Sequence, residues 1–333
     1  MSELQLLWFV LIGVLFAGFF FLEGYDFGVG MQFITNAHTK EEREQLYSSI
    51  GPNWDANEVW LLTAGGAMFA SFPFWYASLF SGFYIMLFIV LIALIFRAAS
   101  FEFRDQVQKY VSQRAWERTI GISSFVAPFF LGMIFTAMVK GMPIDAHGDI
   151  YGGFFDYVNI YSLVGGVAVA LMSYIHGLNF TKLKVEGRLY DVATKQLKFA
   201  YPLLIAGEAL FAVLTFFMTD LFQNNPVWEF IICPVIVVTT LLSWFASAKG
   251  KEGFAFVTSG LILAELVAFL FAGLFPRVMV GNNPKFSILI ENASSSTYTL
   301  QVMSIVVLIA LPITLAYQIW SFVVFARRFK SSK

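Results

Sequence analysis

Charge, cysteine and histidine are all scarce in this chain of 333 residues. Charged side chains make up 13% of it, apolar ones make up 58%, and the mean hydropathy is +0.72. Soluble domains carry about twice that share of charge, so the composition points to a membrane. There is one cysteine, Cys233, which excludes an intrachain disulfide and a cysteine-based metal site. Histidine occurs three times, as His38, His147 and His176. Only His176 falls in an apolar stretch, so a haem held by two axial histidines inside this chain lacks its second ligand. A pore-facing or hydrogen-bonded histidine is the better reading of it. No Gly-Lys-Ser/Thr loop is present to cradle a phosphate, which argues against ATP as a fuel. No basic domain is present either, which excludes nucleic acid as a partner.

What the chain has instead is long apolar runs. A spanning helix needs about 20 mostly apolar residues. Nine stretches qualify: Leu4–Ile34, Trp54–Trp75, Ala77–Ala99, Thr119–Val139, Val158–Phe180, Phe199–Thr219, Trp228–Ser247, Gly253–Phe275 and Thr299–Phe325. No connection is long enough to fold alone, so the expected fold class is an all-α polytopic membrane protein of one domain, 1–333. The first run is expected to be retained: it is too long for a signal-peptide core, no small-residue cleavage site follows it, and its distal half carries acids.

The cations segregate. Of 21 Lys and Arg, all but Lys140, Arg277 and Lys285 fall after spans one, three, five and seven or in the C-terminal tail, which holds Arg327, Arg328, Lys330 and Lys333. The positive-inside rule then puts the N-terminus outside and the C-terminus in the cytoplasm.

Carboxylates concentrate at the inner ends of the first three spans. The first ends Leu22-Glu23-Gly24-Tyr25-Asp26-Phe27-Gly28-Val29-Gly30, with Glu23 and Asp26 three apart on one helix face and Gly24 and Gly28 spaced for a close helix approach. The second begins Gly51-Pro52-Asn53-Trp54-Asp55-Ala56-Asn57-Glu58-Val59-Trp60, with Asp55 and Glu58 again three apart. The third ends Phe96-Arg97-Ala98-Ala99-Ser100-Phe101-Glu102-Phe103-Arg104-Asp105. The topology brings Glu23, Asp26, Asp55, Glu58, Arg97, Glu102 and Arg104 to the cytoplasmic side, a set suited to passing protons inward. A structural account stands beside this one: acids at helix N-termini complement the helix dipole, and Arg97 and Arg104 can close a helix end by pairing with Glu102 and Asp105. Glu208 and Glu265 lie near the middle of their spans, where a proton-exchange role and a carboxyl hydrogen-bonded across a helix interface are both open. Ala64-Gly65-Gly66-Ala67 reads as a close helix contact. Its aromatic neighbours Trp60, Phe69, Phe72, Phe74, Trp75 and Tyr76 could line a route for a small apolar molecule, or simply pack.

These three segments, with the second continuing Leu61-Leu62-Thr63-Ala64-Gly65-Gly66-Ala67, closely resemble subunit II of cytochrome bd-type quinol oxidase. The resemblance implies a subunit of a bacterial terminal oxidase in the cell membrane that oxidises membrane quinol, reduces dioxygen to water and generates a proton gradient. It implies that haem b and haem d and the quinol-oxidising loop belong to a partner, subunit I, and that this chain alone binds no cofactor. It implies two four-helix bundles, placed here at 4–139 and 158–275, and a peripheral helix at 299–325. A structural quinone and a small single-span accessory subunit occur in some members. Carried over by motif, Asp55 and Glu102 match acids of the proton intake path, Glu23 matches an acid of the first-span motif, and Trp60 matches a tryptophan at the subunit interface linked to oxygen entry. Two other classes compete: a proton-coupled secondary transporter built around Glu208 and Glu265, and a purely structural subunit whose acids cap helices.

Overall fold

The computed structural model describes residues 1–107, 109–325 and 328. Of the tail cations, Arg327, Lys330 and Lys333 lie outside the described residues. The chain opens with α1 (Glu3–Thr35), whose start is fixed by reciprocal hydrogen bonds between Ser2 and Gln5. A short amphipathic α2 (Lys40–Ile50) follows, capped in the same way by Thr39 and Glu42. Then come α3 (Trp54–Ser71), α4 (Pro73–Gly82) and α5 (Tyr84–Phe103). The sequence reading ran two spans over 54–75 and 77–99; the structure corrects both. Pro73 has no N–H to give and pushes Phe72 out of the helical region, so α3 stops at Ser71. The chain then crosses to α5 through the ten-residue α4 rather than through Tyr76 alone.

The remaining long helices are α6 (Tyr110–Lys140), then, after the one-turn α7 (Phe154–Tyr157), α8 (Ile160–Lys184) and α9 (Arg188–Met218). The one-turn α10 (Leu221–Asn224) leads into α11 (Pro226–Ala248) and α12 (Glu252–Leu274). A small antiparallel pair, β1 (Arg277–Met279) with β2 (Ile288–Leu289), then α13 (Ile290–Ala293), precede the last helix, α14 (Thr297–Val324). Asp220 clamps Arg277 with two bonds of 2.6 and 2.9 Å, tying the connection before α11 to β1.

Among the described residues, eight helices are long and apolar enough to cross a membrane. The helix not among them is α3, whose 18 residues carry Asp55, Asn57 and Glu58 in the first turn and a half. In a lipid environment, helices associate by packing and hydrogen bonds rather than by expulsion of water. Here α1 is central, touching α3, α6, α8 and α12; α5 packs on α6; α8, α9, α11 and α12 pack in sequence; and α14 lies against α1 and α3. Gly65 and Gly66 do not make the expected helix contact: a Cβ on either would meet nothing within 4 Å. It is Trp60 and Ala64 on the opposite side of α3 that are buried, and the glycines line an open groove.

Candidate functional site

Glu23 and Asp26 sit on the inward face of α1, and both are fully buried. Arg97, buried on α5, forms an ion pair with Glu23 and lies 3.7 Å from Glu58 of α3. Its Nε donates to Ser124 of α6 at 3.2 Å, and its guanidinium stacks over Phe27 and Phe101. Asp26 turns the other way. Its Oδ2 accepts from Asn57 Nδ2 at 2.6 Å, and the same amide nitrogen is 2.7 Å from the Tyr25 hydroxyl. Two carboxyls thus share one guanidinium, and a third adjoins them. Glu23 Oε2, Asp26 Oδ1 and Arg97 Nη2 are buried without a hydrogen-bond partner among the described residues. The Glu23 and Asp26 carboxyls are close enough to hydrogen-bond each other when one of them carries a proton.

A second network lies at the adjacent helix ends. Glu117 of α6 is buried between Arg43 (2.8 Å), Arg104 (3.2 Å) and Arg114 (3.2 Å). Arg104 also reaches Glu44 at 2.9 Å and Asp105 at 2.7 Å. Nearby, burial would raise the Glu42 carboxyl, but hydrogen bonds from the His38 and Thr39 backbone and from Arg188 hold it below its ordinary value. The sequence reading missed Glu117. The available signal was Arg114-x-x-Glu117, an i, i+3 pair opening the fourth span.

The structure divides the set that the sequence brought together. Glu23, Asp26 and Glu58 join Arg97 in one network. Asp55 and Glu102 lie on the outward, exposed surface of this chain, at the ends of α3 and α5. Trp60 faces inward, 8% exposed, with its indole against Gly18 of α1, where a Cβ would come within 2.5 Å. Of the aromatics around the glycine pair, Phe69, Trp75 and Tyr76 line an apolar groove of about 690 Å³ bounded chiefly by α3, α4, α5 and α6, while Trp60, Phe72 and Phe74 do not.

The deeper acids are tied to neighbouring helices. Glu208 accepts from Thr240 at 2.6 Å and Glu265 from Thr239 at 2.8 Å. His176 is bonded at both ring nitrogens, Nδ1 to Ser259 at 2.8 Å and Nε2 to the Phe21 carbonyl at 2.9 Å. Among the described residues, no group of three His, Cys, Asp or Glu is placed to hold a metal.

These features define a class first: a multi-pass helical membrane protein with a buried carboxyl–guanidinium cluster toward one end of its first spans. The chain belongs to the family described as cytochrome bd terminal oxidase subunit II, whose model matches residues 4–325. It is 43% identical over 329 residues, 98% of this chain and 97% of the relative, to cytochrome bd ubiquinol oxidase subunit 2 of Bacillus subtilis (strain 168). It is 31% identical over 353 residues, 96% of this chain and 93% of the relative, to cytochrome bd-I ubiquinol oxidase subunit 2 of Escherichia coli (strain K12). A chain of the bd oxidase structure from Geobacillus thermodenitrificans shares the fold, with a TM-score of 0.79 at 14% identity, covering 97% of this chain and 99% of that one. The chain is therefore a subunit of a respiratory oxidoreductase, and the secondary-transporter reading is not favoured.

Proposed function

We propose that this chain supports a haem-bearing subunit I in a quinol:dioxygen oxidoreductase and supplies part of its cytoplasmic proton intake. The observation that carries this is the buried Glu23–Arg97–Glu58 and Asp26–Asn57 network, in which the Glu23 and Asp26 carboxyls adjoin. Asp55 and Glu102, exposed on the isolated chain, are the entrance groups on a face toward the partner; Glu23, Asp26 and Glu58 are the interior relay. Trp60 then acts from behind α3 and not as a surface contact.

Haem b and haem d belong to the partner in this reading, and quinol is oxidised there. The engagement of both His176 nitrogens supports a haem-free role, since ligation through either one would cost its hydrogen bond. A bound structural quinone and a single-span accessory subunit are compatible with this role. The architecture is nine spans, α3 included: two four-helix bundles, 4–139 and 158–275, with α14 peripheral. The sparse burial of α14 supports its peripheral place.

In the test, Asp55→Asn in the intact complex is expected to slow steady-state quinol oxidation about tenfold, a modest share of what general acid–base groups contribute. The haem absorbance should stay unchanged. Asn serves a helix N-terminus about as well as Asp, so a purely structural role predicts wild-type turnover, and that result would eliminate Asp55 from the path.

The orientation is N-terminus outside and C-terminus cytoplasmic, in a bacterial cell membrane. Tyr151 and Lys195 are both exposed. In intact cells, a membrane-impermeant thiol reagent is expected to label Tyr151→Cys and to leave Lys195→Cys unlabelled. The reverse pattern would invert the topology.

A further inference from the structure

We propose that Gln318 of the last helix is a positioning residue for proton delivery, fixing the amide of Asn57 so that it donates to Asp26. The inference rests on the proton-intake reading above and adds a component from a helix that the reading does not use.

The peripheral helix α14 is outward-facing along almost its whole length. Among its described side chains, only Leu300 and Gln318 are buried. A primary amide withdrawn from solvent inside a membrane protein is costly unless its donors and acceptor are satisfied. Gln318 is 7% exposed, and its Nε2 donates to Asn57 Oδ1 at 2.8 Å. Asn57 is fully buried between α1 and α14, and its amide has one acceptor end and one donor end. With Gln318 on the acceptor end, the donor end is directed at Asp26 Oδ2 and the Tyr25 hydroxyl. Rotating the amide by half a turn would set Asn57 oxygen against the Asp26 carboxyl and Asn57 NH₂ against Gln318 NH₂, two repulsive contacts. The Asp26 carboxyl and the Leu22 carbonyl, 3.3 Å from Asn57 Nδ2, hold the donor end, and Gln318 Nε2 completes the acceptor end.

The consequence falls on Asp26. Its Oδ2 is held by Asn57, while its Oδ1 is buried without a fixed N–H or O–H donor among the described residues and its carboxyl adjoins that of Glu23. One oxygen is anchored and the other is left to exchange the proton. Without Gln318, Asn57 Oδ1 has no fixed donor, and the anchor on Asp26 Oδ2 is lost for part of the time. Docking of α14 does not depend on this bond alone. Ser321 donates to Asn53 at 2.9 Å, and Trp8 of α1 reaches Leu300 and Ser304 at 3.2 and 3.0 Å.

The test uses the purified oxidase complex with Gln318→Met, Ser321→Ala and Asp26→Asn. Methionine keeps the length of the side chain and removes its donor. Gln318→Met is expected to keep the haem absorbance and the quinol KM. It should lower kcat and the rate of proton uptake on mixing with oxygen by about tenfold, the scale of one lost hydrogen bond, and enlarge the solvent isotope effect. Ser321→Ala should leave all of these unchanged. Wild-type proton uptake in Gln318→Met overturns the proposal. Loss of haem absorbance in that variant does so too, because it would make Gln318 a docking residue. Asp26→Asn separates the two levels. Wild-type uptake there removes the proton-intake reading itself, whereas slow uptake there with normal uptake in Gln318→Met removes only the role of Gln318.

Discussion

Arg97→Leu is expected to prevent accumulation of the assembled oxidase. Arg97 is fully buried, and it is the one cation in contact with Glu23 and Glu58 among the described residues. It also donates to Ser124 and covers the rings of Phe27 and Phe101. Leucine would leave the fully buried carboxyl of Glu23 and the largely buried one of Glu58 without their counter-charge. Breaking a buried pair by removing one partner costs about 3–5 kcal/mol, a large part of the stability of a typical domain. The readout is haem absorbance per unit of this subunit in isolated membranes, which should fall close to background. Arg97→Lys should fare better but not recover fully, since an ammonium cannot span Glu23, Glu58 and Ser124 with a rigid fork. Adding Glu23→Gln to Arg97→Leu should recover part of the loss, because the two residues act as a unit and their effects do not add. Normal assembly of Arg97→Leu would show that the pair contributes nothing to the fold.

This cluster also marks where sequence reasoning succeeds and where it stops. The three-residue spacing of Glu23 and Asp26 placed them on one inward face, and both are buried there. Their partners were a different matter. Glu23 goes to Arg97, 74 positions away, and Asp26 to Asn57, 31 positions away. The link from Asn57 to Gln318 spans 261 positions and has no local signature at all. Asp55 and Glu58 show the same limit on one helix. Periodicity puts them on one face, but only the placement of α1 and α5 decides that Glu58 turns inward and Asp55 outward. The span boundaries failed for a different reason. Hydropathy is averaged over long windows and runs smoothly through Phe72-Pro73, whereas the backbone breaks there because proline cannot continue the helix. The open glycine pair Gly65-Gly66 carries the composition of a helix contact without having one in this chain. Composition records that a close approach is allowed. It does not record whether a neighbour is present.

Gly28→Ala is expected to destabilise the subunit far more than Gly24→Ala, although the two glycines share one motif and one helix face. A Cβ on Gly28 would lie 2.0 Å from the Ser173 carbonyl oxygen and 2.7 Å from the Gly177 backbone. The crossing is tight from both sides, since a Cβ on Gly177 would come within 2.3 Å of the Gly28 carbonyl carbon. Every obstructing atom is backbone, so no side chain can swing aside, and α1 and α8 would have to separate. Overpacking of this kind costs about 1–3 kcal/mol in a well-packed interior, and sometimes more. The upper part of that range applies here, because the same crossing carries the bond from His176 to the Phe21 carbonyl and the one from Thr181 to Gln32 at 3.0 Å. A separation lengthens both. At Gly24 the nearest obstruction, at 2.7 Å, is the terminal methyl of Leu263, which a rotamer change can move. Thermal denaturation of the purified complex, followed by haem release, should show a clearly lowered midpoint for Gly28→Ala and a nearly unchanged one for Gly24→Ala. Equal midpoints would mean that α1 and α8 tolerate separation at their crossing. The central position of α1 would then rest on its side-chain hydrogen bonds rather than on backbone contact.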